Sequence, residues 1–161
     1  MTLERKVAII DKYEPNLQLA EIERKSYELE GISIVGMLVN ITTTPEEVAF
    51  FVAGENPHLV ILAENYANTD DVIRDLQERF KGMHSMQAGE FQPIKRGEGI
   101  DVLVRIRELN PELPVYMLSS SSLHMERAMS AGAKGYINIT PFPAELRRIL
   151  DGHYPNVTLP H

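Results

Sequence analysis

Leu59-Val60-Ile61-Leu62, with Pro57 two residues ahead and Ala63-Glu64 at its end, decides the fold. A short unbroken apolar run between a breaker and a charge reads as a strand buried on both faces. That is the requirement of a parallel sheet covered by helices. Working outward, Val7-Ala8-Ile9-Ile10 is a run of the same kind, stopped by Asp11 and followed by Pro15. Ile32-Ser33-Ile34-Val35, running on towards Val39, then Val115-Tyr116-Met117-Leu118 and Gly135-Tyr136-Ile137-Asn138-Ile139 complete a set of five.

Helical patterns separate these strands. Asn16 to Leu29 carries no breaker, and Gly31 ends it as a C-cap does. Thr42-Thr43-Thr44-Pro45-Glu46-Glu47 is a helix start, with a hydroxyl cap, proline in the first turn and two acids at the positive end of the dipole. That helix is expected to end near Gly54. Ile100, Leu103 and Val104 share a helical face until Asn110-Pro111, and Leu123 to Ala131 forms another helix before Gly132. Pro143 opens a last one with Leu146, Ile149 and Leu150 on one side. Strands alternating with helices of this size imply an α/β chain, a doubly wound five-stranded parallel sheet. Its working surface lies at the carboxyl ends of the strands. Those ends are Asp11-Lys12, Ala63-Glu64, Ser119-Ser120 and Ile139-Thr140.

Asn65 to Gly99 is too long for a connection in such a fold. Thr69 to Phe80 has a cap, early acids and an apolar stripe, and is expected to be a helix. Met83 to Gly97 has no period and is expected to be a loop. Its Met83, Met86 and Phe91 fit a partner surface and a cover for the core equally well.

The 161 residues suit one domain, and the absence of cysteine excludes disulfides and thiolate metal sites. The net charge of −7, from 23 acids against 16 bases, disfavours direct nucleic-acid binding, which needs clustered Lys and Arg. No segment reads as a membrane span or a signal peptide, so a cytoplasmic location and no membrane partner are the expectation. The five histidines have no ligand spacing, and no phosphate-loop or hydrolase-elbow motif is present. The expectation is no enzyme activity, no cofactor and no bound metal.

Taken in order, several pieces resemble the response-regulator receiver domain of two-component signalling. They are Val7 to Pro15, Asn56-Pro57-His58-Leu59-Val60-Ile61-Leu62, Gly99-Ile100-Asp101-Val102-Leu103, Leu113-Pro114-Val115-Tyr116-Met117-Leu118-Ser119 and Ala131-Gly132-Ala133-Lys134-Gly135-Tyr136. The resemblance implies a flavodoxin-like (CheY-like) sheet of order 2-1-3-4-5 over residues 1–151. A long insertion, 65–99, separates the third strand from the third helix, and 152–161 is a tail or the start of a linker.

The same resemblance implies a phosphorylation pocket, and here the sequence departs from it. The phosphoacceptor aspartate position is Ala63. Of the two Mg²⁺-holding acids, Asp11 matches the first, but the second falls on Lys12. Ser119 matches the hydroxyl that meets the phosphate. The lysine that neutralises it falls on Ile139, or on Thr140 if one residue is inserted. The switch aromatic is kept as Tyr136. Phosphoryl transfer to a carboxylate needs that carboxylate and cations for the phosphoryl oxygens, and an ammonium at Lys12 repels Mg²⁺. Glu64, next along the strand from Ala63, is expected to face away from the pocket, because neighbouring strand residues point to opposite sides.

The expectation is therefore a pseudo-receiver, a phosphorylation-independent module of signal transduction working by protein–protein contact with a signalling component or an output domain. The alternative is a small-ligand sensor that uses the former pocket. Receivers typically dock or form homodimers through the fourth helix, fifth strand and fifth helix. Met129, Tyr136, Leu146 and Arg147 are the residues expected on that face.

Overall fold

The computed structural model describes residues 5–12, 14–66, 77, 98–119, 125–138 and 142–153. Five strands form one sheet: β1 Arg5–Asp11, β2 Ile32–Leu38, β3 Leu59–Ala63, β4 Val115–Ser119 and β5 Gly135–Asn138. All neighbours run parallel, in the order β2-β1-β3-β4-β5. The doubly wound sheet expected from the sequence is therefore present, with the order the resemblance implied. The register pairs Ile10 with Leu62 and Ala63 with Leu118, which brings Asp11, Ala63 and Ser119 to the same carboxyl edge.

The helices are α1 Glu14–Ile22, α2 Arg24–Leu29, α3 Pro45–Glu55, α4 Glu98–Leu109, α5 Met125–Ser130 and α6 Phe142–His153. One core packs β-sheet residues such as Val60, Leu62 and Met117 against Val48, Val52, Leu103 and Ile106 of α3 and α4. The other packs Ile9, Ile61 and Ile137 against Ala20 and Tyr27 of α1 and α2 and Leu146 and Ile149 of α6. The centre of the sheet is buried from both sides, as the unbroken apolar runs demanded.

The sequence placed one helix over Asn16 to Leu29, but a turn at Glu23 divides it. There φ is −85° and ψ −1°, still on the right-handed helical side of backbone space, and helix resumes with Tyr27 buried. Gly31 ends this segment at φ +78°, a left-handed conformation that glycine adopts without a Cβ penalty. Thr44 caps α3, its hydroxyl accepting from the Glu47 amide at 3.2 Å, and Asn56 closes the helix in the left-handed region.

The last helix continues through Gly152 to His153, two residues beyond the boundary drawn from the sequence. The hydroxyl of Tyr116 on β4 shares a hydrogen bond with His153, whose ring stands edge-on to the tyrosine with centroids 5.0 Å apart. That contact ties the end of α6 to the sheet. The expected helix Thr69 to Phe80 lies outside the described residues apart from Gln77, which is helical. The loop Met83 to Gly97 and the tail beyond His153 also lie outside them. Among the described residues no helix is long and apolar enough to cross a membrane.

Candidate functional site

The carboxyl edge of the sheet carries two separate polar clusters. The first surrounds Asp11 at the end of β1. Its carboxylate is fully buried and accepts two amide hydrogens, from the Asn16 side chain at 2.8 Å and from the Lys12 backbone at 2.7 Å. Asn16 lies in the first turns of α1 and is itself buried. Sequence reasoning passed over it. The available signal was an amide five residues after a buried acid, at the start of a helix that must pack beside it.

The second cluster begins at Glu64, the first residue beyond β3. Its side chain is 0 % exposed, and the Tyr136 hydroxyl donates to its Oε2. The phenol is pushed up to about 12 by burial first, then by the hydrogen bond to Glu64, while Ser119 bonds the same phenol and pulls the other way. Ser119 is buried at the end of β4. Three residues assigned separately from the sequence thus meet at one phenol oxygen.

Glu64 follows the strand alternation expected of it. Alternation does place it on the same side as Val60 and Leu62, away from the acceptor position. That side is not an exit to solvent: it is the buried side on which Tyr136 packs. A close backbone contact holds the turn in place. The Gly99 amide donates to the Glu64 carbonyl at 2.9 Å, and a Cβ on Gly99 would lie 2.7 Å from the Glu64 Cα. Only glycine fits there, so the first turn of α4 fixes where the Glu64 backbone leaves the strand.

Ala63, the residue that the resemblance set at the acceptor position, is buried and carries no nucleophile. Ile139 and Thr140 lie outside the described residues. The Mg²⁺ implied by the resemblance does not suit the residues present. Asp11 already accepts two amides, Lys12 brings a cation where an oxygen ligand is needed, and Ala63 offers no oxygen. Among the described residues no group of three His, Asp or Glu side chains stands close enough to hold a metal ion.

The expected docking face is also altered. Leu146 is 1 % exposed and belongs to the core beneath α6, so it cannot contact a partner. An amphipathic helix turns one stripe inward, and Leu146 shares that stripe with Ile149 and Leu150. Arg147 is engaged within the chain. It forms a two-pronged pair with Glu30 beyond α2, and it meets Asp151 at 3.1 Å. Tyr136 is half-buried against Glu64. Of the four residues, Met129 is exposed, at 45 %, and the Arg147 side chain, though paired, stays 41 % exposed.

No protein-family model and no curated protein matches the chain in sequence. Solved structures do match in shape. The BeF3-activated N-terminal receiver domain of Klebsiella pneumoniae RstA superposes with a TM-score of 0.59 at 18% identity, covering 92% of this chain and 97% of that one. The receiver domain of the sensor histidine kinase PA1611 of Pseudomonas aeruginosa, with magnesium coordinated in its active-site cleft, gives 0.58 at 15% identity over 92% and 96% of the two chains. A LuxR-family two-component response regulator from Aurantimonas gives 0.57 at 16% identity over 93% and 84%. The chain has the receiver fold. At these identities the likeness extends to the fold alone, and the receiver fold here carries Ala63 and a Glu64–Tyr136 pair at its carboxyl edge.

Proposed function

We propose that this chain is a phosphorylation-independent receiver of two-component signalling, acting by contact with a protein partner. The observation that carries the reading is the Tyr136 hydroxyl bonded to a buried Glu64 beside an alanine at the acceptor position. In the resemblance set out above, Tyr136 is the aromatic whose position answers to phosphate. Here a fixed carboxylate engages that aromatic. A hydrogen bond to a carboxyl group in a water-poor site is stronger than the same bond in water, and it holds the ring in one place. The domain then presents one settled surface, and regulation comes from the supply of the partner.

The test uses acetyl phosphate with Mg²⁺, followed by intact-mass measurement, and beryllofluoride with Mg²⁺, followed by backbone amide spectra. The expected results are an unchanged mass and unchanged spectra. A phosphoryl adduct, or saturable shifts at Asp11 and Ser119, would overturn the reading. A companion variant, Glu64→Gln, is expected to lower the Tyr136 ionisation from about 12, read by carbon NMR of labelled tyrosine, because the coulombic contribution of the carboxylate disappears while burial and a hydrogen bond to the amide oxygen remain. An unmoved phenol would show that Glu64 does not hold the ring.

A further inference from the structure

The outer faces of α3 and α4 leave an apolar groove uncovered. It can be followed in rungs. At one end Arg105 of α4 pairs with Glu46 of α3 at 2.5 Å. One helical turn further on, Phe50 and Leu109 stand at positions i+4 from that pair, 82 % and 69 % exposed. Between them Ala49 and Ala53 form a floor of small side chains. Two adjoining hollows share these alanines and Leu109, each of about 320 Å³, and the second reaches down to Pro57 and Leu113. A single exposed apolar residue on a surface means little. An exposed phenylalanine and leucine flanking a hollow floored by alanines is different, because the hollow can receive side chains from outside.

The charges along the groove select the occupant. Arg105 and Glu46 cancel. Glu108 lines the groove beside Leu109, and Asp101 stands one turn before Arg105 on α4, both exposed and neither in an ion pair among the described residues. The remaining charge at the groove is acidic, on a chain whose net charge is −7. A second copy of this chain would bring the same acids face to face, so the groove disfavours self-pairing.

We propose that the α3–α4 groove docks an amphipathic helical segment of a partner protein, with its apolar stripe in the hollows and Lys or Arg beside Glu108 and Asp101. Apolar side chains spaced i, i+3, i+7 match a groove between two helices. Flanking bases supply complementary charge, which raises association rate and sets orientation. This surface lies away from the carboxyl edge and does not depend on the state of Tyr136, so it stands or falls independently of the function proposed above.

The probe is a synthetic amphipathic peptide of about four helical turns, with leucine at i, i+3, i+7 and lysine elsewhere. Its counterpart replaces every lysine by glutamate. Amide spectra of the full chain are recorded during titration with each. The lysine peptide is expected to shift Ala49, Phe50, Ala53 and Leu109, and the glutamate peptide to bind at least about tenfold more weakly. Phe50→Ser is expected to weaken the lysine peptide by about tenfold or more, as loss of a central apolar anchor does. Glu108→Lys should weaken it several-fold, and Glu126→Lys on α5, an exposed acid elsewhere, should leave it unchanged. Equal binding of the two peptides, shifts scattered over the surface, or equal losses from Glu108→Lys and Glu126→Lys would each overturn the proposal. So would concentration-dependent self-association in sedimentation velocity that Phe50→Ser abolishes, which would give the face to a second copy of this chain.

Discussion

The two faces of the sheet are finished differently. On the side of α1, α2 and α6, Arg147 reaches across to Glu30 with both guanidinium prongs, and its guanidinium carbon sits 5.4 Å from the centre of the Tyr27 ring. Tyr27 in turn donates to Glu23 at 3.0 Å. The Glu30 carboxyl is held below its usual range by Arg147, and the guanidinium is raised by the same hydrogen bond. On the side of α3 and α4 a single surface pair among the described residues, Glu46 with Arg105, spans the helices, and beyond it Phe50 and Leu109 face water. One face ties its helix seam together with directional polar contacts, beside a hollow of about 500 Å³ lined by Tyr27, Glu30 and Arg147. The other keeps an apolar seam open. Closure of this kind is a device of stability, whereas an open apolar seam contributes little to the fold and is available for recognition.

The largest expected effect lies on the closed face. Leu146→Ala should destabilise the domain by about 3 kcal/mol, within the usual range for a buried leucine truncated to alanine. Denaturant unfolding measures it, with an unchanged slope showing that the unfolded state is not altered. A loss below about 0.5 kcal/mol, the scale of a surface substitution, would return Leu146 to the docking face on which the sequence placed it.

Glu30→Gln is expected to cost less, about 1 kcal/mol, because Arg147 keeps access to water and to Asp151 at 3.1 Å. The pH dependence gives the sign. The folded-state pKa of Glu30 lies below its ordinary 4.5, so its contribution is complete above about pH 4.5 and is lost as pH falls through the lower folded value. The parent should therefore lose stability on acidification more steeply than Glu30→Gln. Parallel acid-unfolding curves for the two proteins would show that the pair does not hold the closed face together.

Arg147 and Leu146 also mark what could be read from the chain in advance. The strands were legible because burial on both faces leaves no alternation, and Val7 to Ile10 or Leu59 to Leu62 admit few other readings. The α3 cap was legible because Thr44, Pro45 and two acids act locally. On α6 the sequence shows Leu146, Ile149 and Leu150 as one stripe, and that stripe is what the core claims. The Arg147–Glu30 pair joins residues 117 apart, and no local pattern announces a contact of that separation. The alanine at residue 63 could be read directly from the sequence. The union of Glu64, Ser119 and Tyr136 could not, because it depends on the ends of β3 and β4 meeting a ring from within β5. The turn at Glu23 likewise follows from packing, since the local sequence carries no breaker.

The smallest expected effect is the most telling about the open face. Phe50→Ser should change stability by no more than about 0.5 kcal/mol. At 82 % exposure the ring has surrendered little of its hydration on folding, so removing it forfeits little burial. Serine and phenylalanine have nearly the same helix propensity, so the exchange costs the helix itself little. The readouts are denaturant midpoint and binding of a hydrophobic dye. The midpoint should stay near that of the parent while dye binding falls, because the patch, and not the core, is what the dye reports. A drop of 2 kcal/mol or more would mean that Phe50 is covered in solution by part of this chain, and the two faces would then be equally closed. An unchanged midpoint with reduced dye binding separates them: one seam holds the domain together, and the other is left for a partner.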